Sequence, residues 1–387
     1  MRRSGRLTPV VLLVMSTLPS PRVDAQAAPG DPVHPSSGRA AYARARQLDA
    51  EGNDSAALAL LWYASGAAPH DPDIQNALGE ALARIGALDA AIDAYSRALA
   101  ERPEFRKAAN NRILTLVKAG RGEEAVARAR ALVASAPQDA DRHFTLGLAE
   151  SEQDVDAAIA TFMRVLQLDP GHALARYNLA LVLKRADRLP EAVETLTRAL
   201  EIEPRPEALY TLGVIYWQQG DTDGALRTLR SAIAADARYA DAQYTLGAVL
   251  AARKDWAGAA DALRRAIALR PGTPGAHDTL ARVLLQSGDA AASAAEFAEA
   301  ARLRRRAALQ QEAGVWTAVG SRTLEIGNAA GAVDQFRRAI AVWEEYAPAH
   351  YQMGLALQKL GDREASRSAF ARAAQLNPGL VPPPPGR

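Results

Sequence analysis

Small residues punctuate this chain at nearly fixed intervals, and large apolar residues stand at fixed offsets from them. The clearest small column is Ala57, Ala91, Ala125, Ala158, Ala192, Ala225, Ala259, Ser293, Ala332 and Ser366. Its spacing is almost constant and lengthens only between Ser293 and Ala332. With that column set as position 20, ten units start at Gly38, Pro72, Arg106, Ala140, Ala173, Pro206, Ala240, Pro274, Ala313 and Ala347. Position 7 is then large and apolar (Leu78, Leu146, Leu179, Leu212, Leu246, Leu280), and position 8 is mostly small (Gly79, Gly147, Ala180, Gly213, Gly247, Ala281, Gly320, Gly354). Position 24 is bulky again: Tyr95, Phe162, Leu196, Leu229, Leu263, Phe297, Phe336 and Phe370. Apolar spacings of three and four residues mark the buried stripe of a helix. Each unit therefore predicts two helices that approach closely at positions 8 and 20, with position 24 filling the space between them.

Breakers fall where such helices must end. Gly52, Gly86, Gly120, Gly220, Gly288, Gly327 and Gly361 lie between the two helices, where a left-handed residue closes the first. Proline at position 32 (Pro69, Pro103, Pro137, Pro170, Pro204, Pro271, Pro378) stops the second, because the residue before a proline is pushed out of the α region. Pro72, Pro206 and Pro274 suit a first helical position, where a missing N–H costs nothing. A period of about 34 residues is that of a solenoid of helical hairpins. Such an array grows linearly, so 387 residues need no second core.

Composition changes this picture mainly at the N-terminus. Arg2, Arg3 and Arg6 precede an apolar run from Leu7 to Leu18, then Pro19 to Arg22, then Ala25-Gln26-Ala27. This is the layout of a secretory signal peptide over 1–27, and the run is shorter than the roughly 20 residues of a membrane span. Arg2-Arg3 opens a twin-arginine pattern, but the rest of that pattern is missing. Cleavage after Ala27 removes four Arg and one Asp, which takes the formal charge from +2 to −1. The mature chain thus lacks the overall basic footprint of a nucleic-acid binder. No cysteine is present, so disulfides, thiolate metal sites and a lipidated cysteine are excluded. Residues 28–37 read as a linker and 381–387, with Pro382 to Pro385, as an extended tail.

The columns resemble the tetratricopeptide repeat, a helix-turn-helix unit of about 34 residues. Asn76 to Pro103 (NALGEALARIGALDAAIDAYSRALAERP), Tyr210 to Ala232 and Tyr351 to Pro378 carry the resemblance most closely, and it extends from Gly38 to about Leu380. It implies an all-α, right-handed superhelical solenoid of about ten repeats, at 38–307 (repeats 1–8) and 313–380 (repeats 9 and 10). It also implies a concave groove lined by first helices, with a protein or an extended peptide as the usual partner. Some positions depart from the pattern. Arg44 replaces a core Leu in repeat 1, as in an exposed cap, and Arg112 and Ile113 at positions 7 and 8 predict looser packing in repeat 3. Repeat 10 has a polar second helix suited to the end of an array. Five extra residues, 308–312, separate repeats 8 and 9. There Glu296 to Glu312 reads as one long helix, with a break in superhelical regularity or a hinge.

In the family, positions 2, 5, 6, 9, 12 and 13 face the groove. Position 5 is aromatic in four consecutive repeats: Phe144, Tyr177, Tyr210 and Tyr244. Position 6 reads Asn111, Thr145, Asn178, Thr211, Thr245 and Thr279, and Trp217 at position 12 lies near. Two readings fit: the rings stack on a peptide whose backbone the Asn and Thr side chains bond, or they pack against the next hairpin. A third would have the rings stack on an envelope glycan. The carboxylate clamp of some family members is matched only by Lys107 and Asn111, since Tyr42, Arg46 and Ala77 occupy other clamp positions. His143, His277 and His350 share position 4 but in separated repeats, so no metal or other cofactor is expected. No phosphate loop or nucleophile motif appears, so the chain is expected to be no enzyme, though a catalytic subunit could be another chain of an assembly. Arg302, Arg304, Arg305 and Arg306 form the densest charge, either a solvated helix face or a contact for an acidic partner. The expected location is the periplasm or the exterior: a reporter fused after Ala27 should appear outside the cytoplasm, and retention inside would refute the signal.

Overall fold

The computed structural model describes residues 37–377 and Leu380; the expected signal peptide, most of the linker, Pro378, Gly379 and the proline-rich tail lie outside the described residues. Among those described, nineteen elements form, all of them helices. They group in two compact bodies, one ending at Pro204 and one starting at Arg205. In the first, α1 (Gly38–Ala50) pairs with α2 (Asp54–Ala67), α3 (Pro72–Arg84) with α4 (Leu88–Glu101), and α5 (Arg106–Lys118) with α6 (Gly122–Ser135). There too α7 (Ala140–Glu150) pairs with α8 (Val155–Leu168), and α9 (Ala173–Arg185) with α10 (Leu189–Ile202). In the second body α11 (Pro206–Gln218) pairs with α12 (Thr222–Ala235), and α13 (Ala240–Ala252) with α14 (Trp256–Leu269). Next come α15 (Pro274–Gln286) and the long α16 (Ala290–Glu325), then α17 (Ala329–Val342), α18 (Ala347–Lys359) and α19 (Arg363–Leu376).

A short local grammar builds each hairpin. All seven turn glycines have positive φ, as at Gly120 (φ 73°). Asp187 (φ 60°) and Lys254 (φ 64°) hold the same position in their repeats, where a side chain is strained. The next residue caps the second helix: Asn53, Asp221, Asp255, Asp289, Asn328 and Asp362 each accept a first-turn backbone N–H. Position 4 then ties one repeat to the last. Gln75, His143, Arg176, His277 and His350 each reach the carbonyl six residues earlier, at 2.6–3.2 Å, which satisfies backbone left open where the preceding helix ends. Three of these side chains are the position-4 histidines, so their role is to join repeats.

The core sits inside the hairpins. Tyr95, Phe162 and Phe336 are buried to 2% exposure or less. Each lies over the glycine at position 8: a Cβ on Gly147 would stand 2.7 Å from Phe162 Cε1, and one on Gly320 2.5 Å from Phe336 Cε1. Burying such a ring is worth about 1.5–3 kcal/mol. Repeat 3 lacks this arrangement. Arg112 is half-buried there, burial holds its guanidinium below the usual range, and its Nε has no partner. Accordingly α5 and α6 touch least of the hairpins.

One core expectation fails. Phe297, placed by its column between two helices, is 40% exposed. The long helix extends beyond Glu296–Glu312 in both directions, from Ala290 to Glu325, and runs without interruption through 308–312. The second helix of repeat 8 and the first of repeat 9 are therefore one element, and the helix itself contains no break.

The close approach at position 8 sets a sign test. Gly147→Ala and Gly320→Ala should each destabilise by about 1–3 kcal/mol through overpacking. Gly66→Ala, in an exposed helical site with nothing within 4 Å of the new Cβ, should instead stabilise by about 0.5–1 kcal/mol. Thermal unfolding midpoints of the three variants check this; equal shifts would refute it.

Candidate functional site

In both bodies first helices touch first helices, α3 with α5 and α5 with α7, then α11 with α13 and α13 with α15. The side chains expected to bind a partner sit on this face, and the structure commits many of them internally. Thr211 is 5% exposed and its hydroxyl donates to Glu207 O at 2.8 Å. Asn178, equally buried, donates to Leu174 O at 2.8 Å. Thr145 and Thr279 bond their own helices in the same way. Thr245 is 6% exposed and lies in hydrogen-bonding contact with the Tyr210 hydroxyl. Position 6 is thus buried in repeats 4 to 7, while Asn111 and Thr279 at either end of the row are half-buried.

The aromatic row falls as two pairs, Phe144 and Tyr177 in the first body, Tyr210 and Tyr244 in the second. All four are half-buried. Phe144 packs on Phe162 and on His172, with centroids 5.9 and 4.8 Å apart. Tyr210 packs on Tyr239 at 5.1 Å, and burial pushes its hydroxyl pKa upward, partly offset by the bond with Thr245. The Tyr244 hydroxyl meets Thr279 Oγ1 at 3.3 Å. Phe144, Tyr210 and Tyr244 at position 5 therefore link their repeats to the turn or helix that follows. Trp217 is 37% exposed at the end of α11.

A second feature was only partly legible. Asn111 lies in a pocket of about 460 Å³ in repeats 1–3, with Ala45, Leu61, Ala77 and Leu114 among its apolar walls. Glu80 is one of its lining residues and accepts from Asn76 Nδ2 at 2.9 Å, Asn111 Nδ2 at 2.9 Å and Lys107 Nζ at 2.7 Å. The two matching clamp residues thus already hold a carboxylate of this chain. Arg84 pairs with Asp49. Among the described residues Arg46 and Lys118 make no ion pair, although Arg46 lies 3.5 Å from the Tyr42 hydroxyl. Arg46, Glu80 and Lys118 hold positions 9, 9 and 13, which the groove pattern includes but which the aromatic columns overshadowed. No cluster of three metal-binding side chains exists among the described residues. No described helix is long and apolar enough to cross a membrane.

Tetratricopeptide repeat profiles match residues 38–104, 110–173 and 210–274, and related ones match 149–215 and 347–380. The chain belongs to the tetratricopeptide repeat family. No curated protein matches it. Among solved structures, a tetratricopeptide repeat protein from Parabacteroides merdae is 18% identical, with 64% of this chain and 98% of that one covered and a TM-score of 0.51. TTC0263 of Thermus thermophilus is 23% identical over 46% and 99% of the two chains, with a TM-score of 0.42. YrrB, described as a TPR protein with an unusual peptide-binding site, is 19% identical over 45% and 91%, with a TM-score of 0.40. As a tetratricopeptide repeat chain it is a scaffold of stacked helical hairpins.

Because Tyr210 both packs and faces outward, its two parts separate by mutation. Tyr210→Ala should cost about 1–3 kcal/mol of stability by removing a partly buried ring. Tyr210→Phe should cost less than about 1 kcal/mol, the worth of one hydrogen bond. Chemical unfolding distinguishes these, and an Ala variant as stable as the parent would show that the ring serves the surface alone.

Proposed function

We propose that this chain is an exported, non-catalytic scaffold of the cell envelope that holds an extended, acid-rich stretch of another protein. The observation that carries this reading is the pocket on repeats 1–3. It combines apolar walls with Arg46 and Lys118, two cations that make no ion pair among the described residues. An acidic side chain entering there gains both charges without displacing Glu80 from Lys107 and Asn111. Within each body the outward edges of Phe144 and Tyr177, or of Tyr210, Tyr244 and Trp217, add apolar contact for such a strand. Export follows from the signal-like residues 1–27.

Peptide is favoured over glycan on a geometric ground. Stacking on a sugar needs open rings, and Phe144 and Tyr210 are half-buried in tilted contacts with Phe162, His172 and Tyr239. The buried members of the Asn and Thr row, Thr145, Asn178, Thr211 and Thr245, argue for neither ligand. Work as the repeat subunit of an assembly with a catalytic chain uses the same surface.

Peptide arrays test the reading. Acid-rich peptides should bind the chain best, and the double variant Arg46→Glu/Lys118→Glu should weaken them at least about tenfold, as loss of two charge contacts implies. Both substitutions are on exposed side chains, so helicity should stay unchanged. Binding that is indifferent to peptide acidity sinks the proposal.

A further inference from the structure

Elsewhere in the second body, the second helix of one repeat packs on the first helix of the next: α12 on α13, α14 on α15, α17 on α18. At the junction of repeats 8 and 9 those two helices are the two halves of α16, so they cannot pack on each other. The side chains that make this contact elsewhere lie open. At position 24, Leu229, Leu263 and Phe336 are fully buried, whereas Phe297 is 40% exposed. At position 21, Leu226, Ala260 and Val333 are buried and Ala294 is exposed. On the other half, position 3 is Ala242 at 0% and Ala276 at 3%, but Val315 at 57%. Position 7 is Leu246 at 9% and Leu280 at 1%, but Val319 at 44%.

These four side chains share one side of the helix. At 3.6 residues per turn, Ala294, Phe297, Val315 and Val319 fall within about 60° of one another. Phe297 and Val315 are eighteen residues apart in the sequence, so they stand at the same azimuth but about 27 Å apart along the axis. Ala301 and Ala308 lie between them on that side, both exposed, with Arg304 and Glu312 close by. Two halves of a normal junction are therefore displayed by one copy that cannot join them.

We propose that a second copy of the chain covers this face, with the two α16 helices packed antiparallel about a two-fold axis at Ala308. In that register Phe297 meets the partner's Val319, Ala301 meets the partner's Val315, and Arg304 meets the partner's Glu312. The first helix of each repeat 9 then lies on the second helix of the other copy's repeat 8, and the missing junction is rebuilt twice. Alanines at the crossing allow close approach, and the opposite charges of Arg304 and Glu312 set the register. The contact is isologous, so it closes at two copies and does not propagate. Arg304 also pairs with Asp278 in its own copy, which holds it beside the face.

The absence of cysteine makes the test clean. Sedimentation equilibrium of the chain at micromolar concentration should give twice the monomer mass. Under mild oxidation Ala308→Cys should link two copies through a disulfide. Gln310→Cys, at similar height on the opposite side of α16, should not. Val319→Asp, exposed within one copy, should raise the dimer dissociation constant by about a hundredfold, since two carboxylates would be buried against Phe297. Its circular dichroism should match the parent. A monomer at all concentrations, equal cross-linking at 308 and 310, or a Val319→Asp dimer as tight as the parent would each overturn the proposal.

Discussion

The hairpins depend on one steric condition: at position 8 there must be no side chain, or almost none, where the position-24 ring or Leu crosses. Gly147 under Phe162 and Gly320 under Phe336 show how little room remains, since even one carbon would meet the ring inside van der Waals distance. That contact fixes the separation and tilt of the two helices in a repeat. The tilt in turn decides which side chains reach the next repeat, and so places position 4 against the preceding carbonyl and position 5 against the following hairpin. Repeat 3 shows the contrary case: positions 8 and 24 are Ile113 and Ala129, the large and small partners exchanged, and its two helices make a sparser contact.

A repeat array stabilised only by neighbours must satisfy its polar groups locally. This explains why the face expected to bind a ligand is so fully engaged with itself. Thr145, Thr211 and Thr279 return their hydroxyls to their own helices, and Glu80 draws in Asn76, Lys107 and Asn111. What is left for a partner is therefore less than the list of polar residues implies. On the proposed reading it consists of ring edges, the cations Arg46 and Lys118, and the apolar walls of the pocket in repeats 1–3. Tyr210 and Phe144 were legible as aromatics at position 5 because the period is strict. Their packing on Tyr239 and His172 was not legible, because those partners belong to the turn before the next repeat, where no column marks them.

Where the period lengthens, between Ser293 and Ala332, the array changes character. Arg305 stands where a proline ends other second helices, and nothing in Ala301 to Glu312 opposes helix. The two helices join into an element about 54 Å long. Its cost is a junction that does not close within the chain, seen in the exposure of Phe297, Val315 and Val319.

Periodicity alone determined the fold of this protein: two helices per repeat, their turns, their caps and the small–large contacts all follow from residue spacing, because each is local in sequence or recurs once per repeat. The long helix was half visible, as a missing proline and five extra residues. Three matters required the tertiary structure. The threonine row turned inward, since a hydroxyl four residues past a carbonyl bonds its own helix when neighbouring repeats exclude water. Glu80 drew the clamp-like residues to itself, a meeting of adjacent repeats that no spacing within one repeat records. And Phe297, a core residue by its column, lies open, because burial depends on which helix arrives above it, and at that junction α16 carries that helix away.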